Sequence, residues 1–118
     1  MKILIVDDER AIRNSMSEIL SDEGYEVEVA ENGQQACQMV EKEKYDVIFC
    51  DIKMPVMDGM ETLDKLTSMG IDSAIVMISG HAELTQAVEC IKKGAFDFMS
   101  IPDTLAGVSP LLHHLHLL

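Results

Sequence analysis

The chain has 118 residues, 47% hydrophobic and 4% aromatic with no Trp, a length that suits one compact domain and is too short for two separate cores. Acidic residues outnumber basic ones by 21 to 9, for a formal net charge of −12, so the surface repels phosphate backbones and argues against direct nucleic-acid binding. No apolar run approaches the ~20 residues of a membrane span, Met1 is not followed by a leader-like apolar region, and Cys37, Cys50 and Cys90 form no CxxC pair, which points to a reducing, cytoplasmic setting without zinc or disulfide chemistry.

In chain order, Ile3 to Val6 is a short β-branched apolar run cut off by Asp7, Asp8 and Glu9, the pattern of a parallel strand covered on both faces. Ile12, Met16, Ile19 and Leu20 then recur at helical spacing, and Gly24 stands where a helix C-cap glycine belongs. Tyr25 to Ala30 alternates apolar and acidic, as a strand nearer the sheet edge does. Asn32-Gly33 leads into a helix carrying Ala36, Cys37, Met39 and Val40. Val47 to Cys50 is the second apolar run and ends on Asp51. Cys50 within it reads as a small buried hydrophobe. Asp58-Gly59 opens a third helix with Met60, Leu63 and Leu66 inward, closed by Gly70. Ala74 to Ile78 is the third apolar run, ending at Ser79-Gly80. Residues 83–93 read as a helix with Ala87, Val88 and Ile91 inward. Ala95 to Met99 is the fifth strand, ended by Pro102.

Five strands alternating with helices predict an α/β domain, a doubly wound parallel sheet with helices on both faces. Its most apolar strands belong at the centre, compatible with the flavodoxin-like order 2-1-3-4-5. In that order Asp7 and Asp8, after the first strand, meet Asp51, after the third, across ~4.8 Å. Three such carboxylates repel one another until a divalent cation balances them. Oxygen-only ligands with room for water suit Mg²⁺, and the backbone carbonyl of Lys53 completes the protein's share. Asp51 is placed to attack phosphorus and form an acyl phosphate. Ser79 can hydrogen-bond such a phosphate or cap the helix that follows it, and the two roles are compatible.

ILIVDDE at 3–9, FCDIKMPVMDG at 49–59, MISGHAE at 77–83 and KKGAFDFM at 92–99 together resemble the receiver domains of two-component response regulators. The SGHAE and KKGAFDF segments look most like the NtrC-type branch. The resemblance covers residues 1–103 and implies a CheY-like fold with Asp51 as phosphoacceptor. It also implies Mg²⁺ held by Asp7, Asp8, Asp51 and the Lys53 carbonyl, with Ser79 and Phe98 as the pair that moves on phosphorylation. Its implied partners are a sensor histidine kinase and a downstream effector domain or a receiver homodimer, with no membrane and no direct nucleic-acid contact. The implied output is transcriptional, and the implied catalysis is limited to the domain's own phosphorylation and dephosphorylation.

Two departures stand out. The family places a lysine before the proline that follows the fifth strand, and here that position is Ile101. Loss of such a charge-assisted contact removes ~1.5–3 kcal/mol, which opens a second reading, a degenerate receiver acting as a phosphorylation-independent interaction module. Residues 104–118 form an atypical apolar C-terminal segment with no Asp, Glu, Lys or Arg, interrupted by Gly107 and Pro110. His113, His114 and His116 cannot all share one helical face, which weighs against a zinc site. A third reading, a Mg²⁺-dependent phosphohydrolase, is disfavoured because the first strand's acids are adjacent instead of two apart and no cap domain is present. Met54, Met57 and Met60 are the methionines expected near the surface. Ala82, Leu84 and Val88 are a partner-facing alternative to simple core packing.

Overall fold

The computed structural model describes residues 1–80 and 84–100. Among the described residues five strands and four helices alternate: β1 (Lys2–Val6), α1 (Arg10–Asp22), β2 (Glu26–Ala30), α2 (Gly33–Lys42), β3 (Val47–Asp51), α3 (Gly59–Ser68), β4 (Ala74–Ser79), α4 (Leu84–Lys92) and β5 (Asp97–Ser100). All pairings are parallel, and the sheet runs β2-β1-β3-β4-β5. This is the flavodoxin-like order expected from the alternation of apolar runs and helices.

The three most apolar strands lie at the centre because helices cover both their faces. Ile3 to Val6, Val47 to Cys50 and Ile75 to Ile78 are buried throughout. Alternate residues feed two cores: Ile3, Ile5, Phe49, Val76 and Ile78 pack with Met16 and Leu20 of α1. Leu4, Val6, Ile48, Cys50 and Met77 pack with Ala36, Leu63, Leu66 and Cys90 of the other three helices. Asn32 and Asp58 cap α2 and α3 through side-chain oxygens that accept from the Gln35 and Glu61 N–H groups at 2.8 and 2.9 Å.

Two expectations need correction. The fifth strand begins at Asp97, not Ala95, because the Ala95 N–H closes α4 on the Cys90 carbonyl at 3.0 Å. Gly94 supplies the left-handed residue of that cap, at φ 107°. In α4, Val88 and Ile91 face outward with Leu84, at 44%, 49% and 81% exposure, while Cys90 is the residue in the core. A stripe at i, i+4, i+7 marks one apolar helix face, and it leaves open whether that face meets the sheet. Cys90 settles the rotation here, its Sγ 3.5 Å from the Met60 Sδ. Leu84 and Val88 therefore lie at the surface and not in the core, while Ala82 lies outside the described residues. Met54, Met57 and Met60 are half-buried, and Met54 and Met60 lean on the core. Ile101, Pro102 and the apolar segment 104–118 with its histidines also lie outside the described residues.

Candidate functional site

Register builds the site. β1 and β3 are adjacent with Val6 opposite Cys50, so the next residue on each strand, Asp7 and Asp51, reaches the same carboxyl-end rim. Asp8 follows immediately. One carboxylate oxygen from each of Asp7, Asp8 and Asp51 lies within 4.8 Å of the others. Asp7 is fully buried, Asp51 is 7% exposed, and Asp8 opens to solvent.

Asp7 is held at three points. Its N–H donates to the Ala30 carbonyl of β2 at 3.2 Å, its Oδ1 accepts from the Glu9 N–H at 2.9 Å, and its carbonyl accepts from Arg13 Nη1 at 2.8 Å. Its Oδ2 is buried with no hydrogen-bond partner among the described residues. A buried carboxylate oxygen is ordinarily satisfied, and this one belongs to a residue of the Asp7–Asp8–Asp51 cluster. An orphaned hard oxygen beside two more carboxylates fits a hexacoordinate oxygen-seeking cation such as Mg²⁺.

The acids feel their confinement. Burial, then the charges of Asp7 and Asp8, push Asp51 up to about 7, against a smaller opposing pull from the Ile52 and Lys53 backbone N–H groups. Burial likewise lifts Asp7 to about 6, offset first by the Glu9 N–H and reinforced by Asp8 and Glu9, with Arg13 opposing. Both shifts favour the neutral acid, the response expected of buried carboxylates with like charges beside them.

Beside the acids a cleft of about 480 Å³ is lined by Asp8, Lys53, Met54, Pro55, Met60 and Gln86, among others. Lys53, an expected site residue, therefore shares the cleft wall with Asp8. Ser79 is buried at the end of β4, one residue beyond Ile78, which stands opposite Asp51. Phe98 is half-buried on β5, opposite Met77. It belongs to a second cleft, between α4 and β5, with Val88 and Ile91.

Three features of the site escaped the sequence reading. Arg13, a charged residue between the apolar positions of α1, is 9% exposed and bonded to the Asp7 carbonyl at the rim. Gly59 lies so close to β3 that a Cβ there would sit 2.1 Å from the Asp51 carbonyl oxygen. Val56, in the loop after β3, adopts φ 69° while 76% exposed. For Gly59 the Asp58-Gly59 dipeptide marks a helix start, and the same glycine is a signal of close backbone approach. Val56 left no trace in composition.

Residues 3–105 match the response regulator receiver domain family. Response regulator MprA of Mycobacterium leprae is 37% identical over 116 residues, covering 95% of this chain and 51% of that protein. MprA of Mycobacterium avium is 36% identical over 105 residues, covering 89% and 46%. The chain thus spans about half the length of these curated relatives. Among solved structures, the chemotaxis protein CheY4 of Vibrio cholerae superposes with TM-score 0.89 at 31% identity, covering 97% of both chains. The receiver domain of NtrX from Brucella abortus gives 0.88 at 33% identity, covering 96% of both.

Proposed function

The chain belongs to the response regulator receiver domain family, and from that premise we propose that it is a phosphorylation switch whose phosphoacceptor is Asp51. In this reading it is a signalling domain that takes its phosphoryl group from a sensor histidine kinase and serves as the regulatory part of a transcriptional response regulator in the cytoplasm. The observation that carries the reading is the convergence of Asp7, Asp8 and Asp51, with the buried Asp7 Oδ2 unpartnered among the described residues. The residues that would hold Mg²⁺ are Asp7, Asp8, Asp51 and the Lys53 carbonyl, and the ion when bound supplies positive charge for the transferring phosphoryl oxygens.

Asp51 does the bond-making. A carboxylate oxygen attacks phosphorus, the P–N bond to the donor imidazole breaks with its electron pair on nitrogen, and an acyl phosphate remains on Asp51. The raised affinity of Asp51 for protons means that the nucleophile must first be held ionised. Ser79, next along the rim, is the hydroxyl for the new phosphate, and Phe98 on the adjacent strand is the aromatic that follows its shift. The added charge of about −2 is then read by a partner at the face of α4 and β5, either an effector domain or a second receiver.

The test is intact mass after incubation with acetyl phosphate, with and without Mg²⁺, on the wild-type chain and Asp51→Ala. The expected result is a Mg²⁺-dependent gain of one phosphoryl group that vanishes in the variant. Equal uptake by Asp51→Ala would overturn the assignment. Ile101, in place of the family lysine, favours one second reading: a phosphorylation-independent interaction module that binds Mg²⁺ and takes up no phosphate. Mg²⁺ binding with no mass gain would select it.

A further inference from the structure

The hydrogen bonds around Asp7 leave one polar group with a task beyond helix structure. Arg13 is a guanidinium at the sheet rim, its side chain only 10% exposed. Burying a cation is costly unless its donors are used. Its Nη1 donates to the main-chain carbonyl of Asp7 at 2.8 Å. Its Nη2 lies 3.8 Å from Glu31 Oε1, after β2. Arg13 therefore ties α1 to the end of β1 and to the loop after β2.

The bonded atom matters. The Asp7 carbonyl belongs to the peptide unit joining Asp7 to Asp8, so a donor fixed on it fixes the plane of that unit and the direction in which Asp8 departs. The Ala30 carbonyl and the Glu9 N–H hold the rest of Asp7, and Oδ2 has no partner among the described residues. Arg13 contacts main-chain oxygen and leaves the carboxylates open. We propose that Arg13 is a positioning residue for the cation site, orienting the Asp7–Asp8 peptide so that adjacent carboxylates converge with Asp51 on one point. This rests on the reading of Asp7, Asp8 and Asp51 as a cation site, and adds a determinant of its affinity.

Charge and geometry make opposite predictions, which gives the test its power. Removing a positive charge near three acids should tighten Mg²⁺ binding if Arg13 acts only through its field. Losing the orientation should weaken it, and residues that orient metal ligands typically change affinity by about 10–100-fold. The experiment is calorimetric Mg²⁺ titration of wild type, Arg13→Gln, Arg13→Lys and Asp51→Asn, with thermal unfolding in EDTA to confirm folding. The expected result is about tenfold weaker binding in Arg13→Gln and a smaller loss in Arg13→Lys, which keeps the charge but not the two-pronged donor. Equal or tighter binding by folded Arg13→Gln overturns the inference. Should Arg13→Gln fail to fold, unchanged affinity in Arg13→Lys overturns it instead. No Mg²⁺ binding by wild type overturns the cation site itself, and this inference with it. Wild-type binding lost in Asp51→Asn keeps the two failures apart.

Discussion

At the scale of single residues the site is defined by one carboxylate too many. Asp51 is raised to about 7 and Asp7 to about 6, both by burial before any other cause. A carboxyl group whose folded-state value exceeds its unfolded value near 3.8 holds more protons folded than unfolded. Its favourable contribution is complete below the unfolded value and is lost as pH rises through the folded one. The metal-free domain should therefore lose stability between about pH 4 and pH 7, with each such group adding a slope of up to ~1.4 kcal/mol per pH unit. Asp51→Asn should raise the melting temperature in EDTA at pH 7.5 and flatten this dependence, and Mg²⁺ should raise the wild-type value but not the variant's. Scanning calorimetry across pH 5–8 checks it, and an unchanged slope in Asp51→Asn would place the repulsion elsewhere. Ile101 belongs to the same scale. Restoring the family's cation by Ile101→Lys should increase phosphoryl uptake from acetyl phosphate, and an unchanged time course would remove that position from the account. The acids were legible in the sequence because strand ends give them a fixed place. Arg13 was not, since a charged residue between apolar helix positions reads as solvated until the rim it faces is known.

Among the elements, the loop from β3 to α3 carries the tightest constraint. Gly59 donates its N–H to the Ile52 carbonyl at 2.7 Å, and any Cβ would meet the Asp51 and Ile52 backbone at 2.1–2.6 Å. Backbone cannot swing aside as a side-chain tip can. Gly59→Ala should destabilise the domain by ~3 kcal/mol or displace Asp51 from the cluster, visible as a lowered melting temperature together with weakened Mg²⁺ binding. Val56, three residues earlier, shows the opposite. A β-branched residue at φ 69° carries steric cost without compensating burial, and Val56→Asn should gain ~1 kcal/mol in chemical denaturation. A loss of stability would mean the Val56 side chain has a contact that offsets its conformation. The helix α4 shows where periodicity runs short. Its apolar stripe was visible in the sequence, but a nine-residue helix packed at the sheet's edge has more apolar positions than the sheet can cover. Ile91→Glu should accordingly change stability by no more than ~0.5 kcal/mol, against several for Cys90→Asp in the core. Equal losses would return Ile91 to the interior.

For the whole molecule, strand order and charge divide the work. The order β2-β1-β3-β4-β5 was legible because only central strands can be apolar on both faces, and it is this order that gathers acids far apart in sequence. What the pattern could not carry was the direction of individual side chains, which packing decides after the topology is set. Net charge acts at longer range than either. At −12 the domain's field favours the approach of cations in general and opposes that of polyanions. Phosphorylation would add about two more negative charges, so both forms should be poor ligands for DNA. No retardation of a 30-base-pair duplex is expected at 10 µM protein and low salt, since a surface that releases few counterions gains little from contact with phosphates. A salt-sensitive complex would show that charge is clustered where the average conceals it. With no complex, DNA contact in any longer regulator that contains this domain falls to other parts of that protein, and the receiver's influence must pass through contacts between protein surfaces.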